Sequence, residues 1–346
     1  MNQSVFYAIS AAVLFGASTP LAKLLVGNMS PMLLGGLLYL GSGVGMGLFR
    51  ILRDKGWQPS GMLPGEWPWL LGAILFGGVM GPVALMIGLT STSGSAASLM
   101  LNLESVLTAL LAWVVFKENA DKRIVLGMAA IVAGGAVLSW QPDDSGALTL
   151  SGLGAIALAC LCWAIDNNLT RKVSASDSAF IASSTGLLAG VVNSIIAFTS
   201  GASLPEYQTI LLAMTVGLLG YGISLVFFVL ALRGLGTART GAYFSTAPFI
   251  GSAVSLMLLG ETAGTAFWVA CTLMGLGVLL HLTESHDHLH THEPLEHSHA
   301  HTHDEHHQHP HDAEMNMTEP HVHWHQHAVI RHKHPHYPDI HHQHSH

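Results

Sequence analysis

Histidine is missing from the first 280 residues, and charge of either sign is scarce there. All 24 histidines fall at position 281 or later. Residues 1–281 hold 11 Lys+Arg and 11 Asp+Glu, while residues 282–346 hold 2 and 10, so the tail carries the whole net charge of −8. Only 10% of the chain is charged, where a soluble domain carries about a quarter. An ordinary soluble fold is excluded, and a body with balanced charge offers nucleic acid no basic face. The three cysteines, Cys160, Cys162 and Cys271, lie inside apolar runs and read as small packing residues, not as a disulfide or metal framework. The N-terminus lacks a basic n-region, so no cleavable signal peptide is expected. Ser/His/Asp sets, phosphate loops and acid–base pairs are also missing, which predicts no catalytic residues, no enzyme and no required cofactor.

What remains is apolar length. Half of the residues are hydrophobic, mean hydropathy is +0.45, and the apolar runs approach the roughly 20 residues needed to cross a bilayer. The expected fold is an all-α membrane protein with ten transmembrane helices, at 4–27, 31–50, 68–89, 94–116, 122–140, 149–170, 177–199, 207–231, 237–259 and 263–281. Lys and Arg sit in alternate loops: Arg50, Arg53 and Lys55, then Lys117, Lys122 and Arg123, then Arg171 and Lys172, then Arg233. The opposite loops carry Asp143, Asp144, Glu206 and Glu261 and no base. By the positive-inside rule both termini are cytoplasmic, in a multi-pass protein of the inner membrane. Gly41-xxx-Gly45 and Gly186-xxx-Gly190 read as close helix packing. Pro20, Pro82 and Pro248 interrupt their spans, where each frees a carbonyl and permits a bend.

One stretch is echoed. Gly94 to Glu118 opens with small residues, continues as an apolar run and ends on a glutamate, and Thr237 to Glu261 does the same 143 positions later (261 − 118). The chain therefore divides into a first five-helix repeat at 4–140, a second at 149–281 and a tail at 282–346. Because each repeat holds an odd number of spans, the two are inverted in the membrane.

The runs FGASTPLAKLL in the first span and CWAIDNNLTRKVS in the sixth, with the two units that end on glutamate, resemble the EamA family of the drug/metabolite transporter superfamily over residues 4–281. The resemblance implies ten helices in two inverted five-helix repeats and secondary transport of small metabolites through a central cavity. It names no substrate, and the tail lies outside it.

Glu104 lies about ten residues from either end of its span, where a charge costs about 3 kcal/mol on insertion scales. Such a group faces a cavity or a partner, and with Asn102 it is a candidate for substrate binding or a coupling proton. Asp166 and Asn167 cluster near the end of the sixth span, with Arg171 one turn beyond Asn167. Asp166 can pair with Arg171 or Arg239, or line the cavity. Thr19 and Lys23 are one turn apart in the first span, and Lys23 and Arg171 take equivalent places in the two repeats, as rim groups or as interfacial cations. Tyr243, Trp163, Phe15 and Trp113 are aromatic candidates for cavity walls.

The tail alternates histidine with other residues. His286, His288, His290 and His292 form one set, His297, His299, His301 and His303 a second, and His321, His323, His325 and His327 a third. Imidazole ligates Zn, Ni, Co and Cu. With no apolar periodicity, the tail is expected to be disordered when free of metal. The sequence thus points to a membrane carrier of a small metabolite such as an amino acid, moving it by alternating access, with a metal-binding tail. Two alternatives stay open, a Ni, Co or Zn effluxer and a metal-responsive membrane sensor without transport. The expected partners are the lipid bilayer, a small-molecule substrate and a divalent metal at the tail, and a homodimer is an open alternative.

Overall fold

The computed structural model describes residues 3–115, 122–139, 149–173 and 176–282, and the tail backbone at 287–292, 296–301, 321–326 and 330–335. The body is helical throughout. Its helices are α1 (Gln3–Val26), α2 (Pro31–Arg53), α3 (Pro64–Thr90), α4 (Gly94–Met100), α5 (Leu103–Val114), α6 (Lys122–Ser139), α7 (Leu150–Thr170) and α8 (Ser178–Thr199). After them α9 runs unbroken as Tyr207–Gly217, Leu218–Ile223 and Ser224–Phe244, and α10 (Ala247–Leu258) and α11 (Thr265–Leu282) complete the set. Among the described residues seven stretches are long and apolar enough to cross a membrane, and shorter apolar helices lie at Ala247–Leu258 and Thr265–Leu280. The molecule is a multi-pass membrane protein.

Two expected boundaries move. The loop placed around Arg233 is helix, since α9 continues from the eighth expected span into the ninth. The ninth span breaks later, at Ser245–Thr246, and the fourth has a matching break at Leu101–Asn102. The breaks lie 144 positions apart (245 − 101), and the two π turns, at Ile74–Met80 in α3 and Leu218–Ile223 in α9, show the same separation (218 − 74). Each break is closed locally. Asn102 Nδ2 donates to Leu99 O at 2.9 Å and Thr246 Oγ1 to Tyr243 O at 2.7 Å, each beside the backbone N–H of the same residue, so these carbonyls keep local partners where lipid offers none.

Helix contacts come in matched sets. α2 lies along α8, and α6 along α11. α1 packs on α9 as α7 packs on α3, and α1 meets α10 as α7 meets α5. Small residues allow the central contact, as the glycine spacing predicts. A β-carbon on Gly186 would strike the backbone of Gly43, and one on Gly190 would strike Leu40. Large side chains such as Leu48, Leu71, Ile195 and Leu212 point outward, and the interior is rich in Ala, Gly and Ser, which is the arrangement a bilayer solvent demands.

One end of the α2–α8 pair is locked by charge. Buried Arg50 donates from Nε to Asp177 Oδ2 at 2.8 Å and from Nη2 to the carbonyls of Gln58 and Pro59, and Arg53 Nη2 reaches the same oxygen of Asp177 at 2.7 Å. Asp177 also caps α8 by accepting from Ala179 N.

In the described parts of the tail, four strands pair antiparallel, β1 (Asp287–His292) with β4 (Ile330–Pro335) and β2 (Glu296–His301) with β3 (His321–Gln326). The period-2 alternation of histidine is compatible with strand, but isolated two-stranded pairs are marginal in water and build no packed core.

Candidate functional site

The break between α4 and α5 opens a new helix N-terminus inside the membrane span. Its positive end favours an anion, and Glu104 occupies the first turn of α5. At the matching place in the second half, 144 positions on, stands Pro248, so only one half carries a carboxylate there. Glu104 is half-buried, and its Oε1 accepts from Asn167 Nδ2 at 2.8 Å, which ties α5 to α7. Asp166, next to Asn167, is half-buried too, accepts from Thr170 Oγ1 at 2.7 Å, and lies close enough to Glu104 for their charges to interact.

The carboxylate of Asp166 rests on the backbone of Gly77, inside the π turn of α3, where a β-carbon would overlap it. A π turn breaks the regular hydrogen-bond ladder. The freed carbonyl of Gly77 accepts from Tyr39 Oη at 2.7 Å and from Trp163 Nε1 at 3.0 Å, and that of Gly78 accepts from Asn193 Nδ2 at 3.2 Å. The same rings form a chain. Phe15 sits edge-on to Trp163 at 5.8 Å and to Tyr221 at 5.9 Å, Tyr39 meets Tyr221 at 5.2 Å, and Phe244 joins Phe15 at 5.3 Å. Trp163 lies one turn before Asn167 on α7, so rings and polar groups share a face.

The structure therefore brings together Glu104, Asp166 and Asn167 with Phe15 and Trp163. It places other candidates elsewhere. Asn102 is buried at the break and serves the backbone there. Lys23 is not a free rim group, because its Nζ donates to the carbonyls of Leu89 and Thr92 and caps the end of α3. Thr19 is fully buried beside Pro20, Tyr243 is half-buried near the end of α9, and Trp113 is exposed on the outer surface. Arg171 opens a short 3₁₀ turn after α7, and its side chain, like that of Arg239, lies outside the described residues. So do Glu118, His286, His303 and His327 and the side chains of the other tail histidines, so the metal site expected there is untouched by the geometry. Among the described residues no three His, Cys, Asp or Glu side chains converge as a metal site. Gly77 and Tyr39 were missed from the sequence. The signal that could have found them is the Gly77-Gly78 pair upstream of Pro82 within an apolar span.

A family model described as EamA-like transporter family matches residues 2–140 and again 150–283. An uncharacterized transporter of Methanothermobacter thermautotrophicus is 25% identical over 288 residues, spanning 79% of this chain and 84% of its own. Uncharacterized transporter YyaM of Bacillus subtilis is 25% identical over 285 residues, 78% of this chain and 90% of its own. A crystal structure of a protein 20% identical matches with a TM-score of 0.60 over 80% of this chain and 94% of that one, which speaks to the fold alone.

Proposed function

The chain belongs to the EamA-like transporter family, and from that premise we propose that it carries a small polar metabolite, an amino acid or related compound, across the inner membrane by alternating access. The observation that carries the reading is the hydrogen bond between Glu104 and Asn167. It places a carboxylate and an amide within the span, joined across two helices, where a polar group is costly unless it serves a cavity. Matched helix contacts, π turns and breaks support two inverted halves, at 4–140 and 149–281, that rock about the site. Both termini face the cytoplasm in this reading, with Arg50 and Arg53 at the inner ends of the helices. The test is uptake or efflux in reconstituted vesicles across a metabolite panel. Glu104→Gln should lower transport by about an order of magnitude while leaving the protein folded in the membrane. Full activity of that variant would remove Glu104 from the mechanism.

A second reading concerns the tail. Its register sets His297 opposite His325, His299 opposite His323 and His301 opposite His321. This supports a tail that binds Zn, Ni, Co or Cu and tunes the carrier. Calorimetry on the full chain at neutral pH, with residues 282–346 deleted as the comparison, tests it. Equal metal uptake by both proteins would sink the idea.

A further inference from the structure

We infer that the site between α5 and α7 selects the positive end of its cargo, an organic ammonium group joined to a compact apolar body. This rests on the transport reading and narrows it to a substrate class.

Two carboxylates share the site, and the partners found for them are neutral. Glu104 has the amide of Asn167, and Asp166 has the hydroxyl of Thr170. No described Lys or Arg side chain bonds either one. The contrast within the same molecule is Asp177, which receives both Arg50 and Arg53. Lys23 is committed to the end of α3 and the two arginines to Asp177, so these cations are held away from the site. Asp177 is thereby neutralised by guanidinium, while the two carboxylates in the site are left with capacity for further donors. Charged groups inside a membrane call for a counter-charge, and a cargo ammonium with three N–H donors supplies one.

The surroundings match the rest of such a molecule. Trp163 lies one turn from Asn167, and Phe15, Tyr221 and Tyr39 extend the aromatic wall from it. Trp163, Tyr39 and Tyr221 are buried within this cluster, and half-buried Phe15 is the ring left to meet an apolar body. An anionic cargo would meet two carboxylates, whereas an amine gains from them. A zwitterionic amino acid fits by its ammonium end.

Equilibrium binding to the full-length protein in lipid nanodiscs tests this with three probes that share a ring and chain: phenethylamine as its ammonium, phenethyl alcohol, and hydrocinnamate as its carboxylate. The ammonium should bind at least about tenfold more tightly than the alcohol, with the acid weakest. Glu104→Gln and Asp166→Asn should each remove most of that preference without weakening the alcohol. Glu104→Asp and Asp166→Glu keep the charge and should keep the preference, which separates charge from lost folding. Acid binding as tightly as ammonium, equal binding of alcohol and ammonium, or no ammonium binding at all would overturn the inference. If Glu104→Gln also leaves transport untouched, Glu104 leaves the mechanism together with this inference; absence of transport by the wild-type protein across the metabolite panel is what would sink the transport reading. If transport falls but the probe order is wrong, only the substrate class fails.

Discussion

The carboxylate of Glu261 accepts the backbone N–H of Gly94 at 2.7 Å across 167 residues of sequence, and the N–H of Ser95 at 2.8 Å. Ser93 Oγ takes the next donor, from Ala96, so three of the orphan N–H groups that begin α4 are satisfied. Two distant parts of the chain are thereby tied at the end of the molecule that also holds Lys23. Small residues followed far downstream by a glutamate make sense on this basis. The small residues let helices approach, and a β-carbon on Gly94 would press on Ser255 of α10. The acid then caps the helix that they open.

The cap should be measurable. Removing a capping acceptor costs about 1 kcal/mol and sometimes about 2. Glu261→Ala should unfold earlier in a detergent or denaturant titration, and Glu261→Gln should fall between it and the wild type, because the amide still accepts while the charge at the helix N-terminus is gone. An unchanged midpoint for Glu261→Ala would mean that water replaces the cap at no cost.

The lock at the other end gives a pH dependence with a defined sign. Burial alone would raise the carboxyl of Asp177, but the hydrogen bonds from Arg53 and Arg50 outweigh it and hold the group below the ordinary carboxylate range. A folded value lower than the unfolded one, near 3.9, contributes stability that is full above that value and is lost as pH falls through the lowered one. Asp177→Asn should therefore destabilise by about 2 kcal/mol at neutral pH, and the two proteins should converge in stability at strongly acid pH. Parallel curves at all pH values would show that the lock does not titrate in this window.

Much of the helical body was legible because the signal is length. An apolar run near 20 residues has few other fates, and the starts of α2 at Pro31 and α7 at Leu150 lie at or beside the expected boundaries. Glycine spacing predicted close packing but not its partners: Gly41 and Gly45 press on Met214 and Leu218 of α9, while Gly43 and Gly186 make the α2–α8 contact. Three things were hidden. The π turns and the breaks at Leu101–Asn102 and Ser245–Thr246 lie within apolar runs, and hydropathy cannot see a change of hydrogen-bond register. Lys23 reads from sequence as a rim group or an interfacial cation, but a long cation near a helix end is equally suited to a neighbouring helix's carbonyls, and only the tertiary arrangement puts Leu89 and Thr92 in reach. Asn102 was grouped with Glu104 by proximity along the chain, yet the break turns one toward the backbone and the other toward α7. Glu104, Asp166 and Asn167 were legible because a polar group deep in a span is conspicuous, though that they meet is a fact of the fold.

Gly77 offers the sharpest test of the site without touching any group proposed to bind cargo. Its Cα lies under the carboxylate of Asp166, and an added methyl would overlap that carboxylate. Relieving it takes rotation of the Asp166 carboxylate away from α3 and, because Asp166 Cβ would itself lie 2.7 Å from the added methyl, a small parting of α3 and α7, with the carbonyl of Gly77 still accepting from Tyr39 and Trp163. The wall of the site is preserved and one of its charges is displaced. Gly77→Ala should therefore leave stability within about 1 to 3 kcal/mol of wild type, the ordinary cost of overpacking, while transport falls by a larger factor than that loss explains. Gly72→Ala, where the added methyl would only press on the flexible tip of Leu169 in the same α3–α7 contact, is the control. Comparing initial transport rates at equal amounts of folded protein decides the matter. Equal rates for Gly77→Ala and Gly72→Ala would show that the position of Asp166 against the π turn is packing and nothing more.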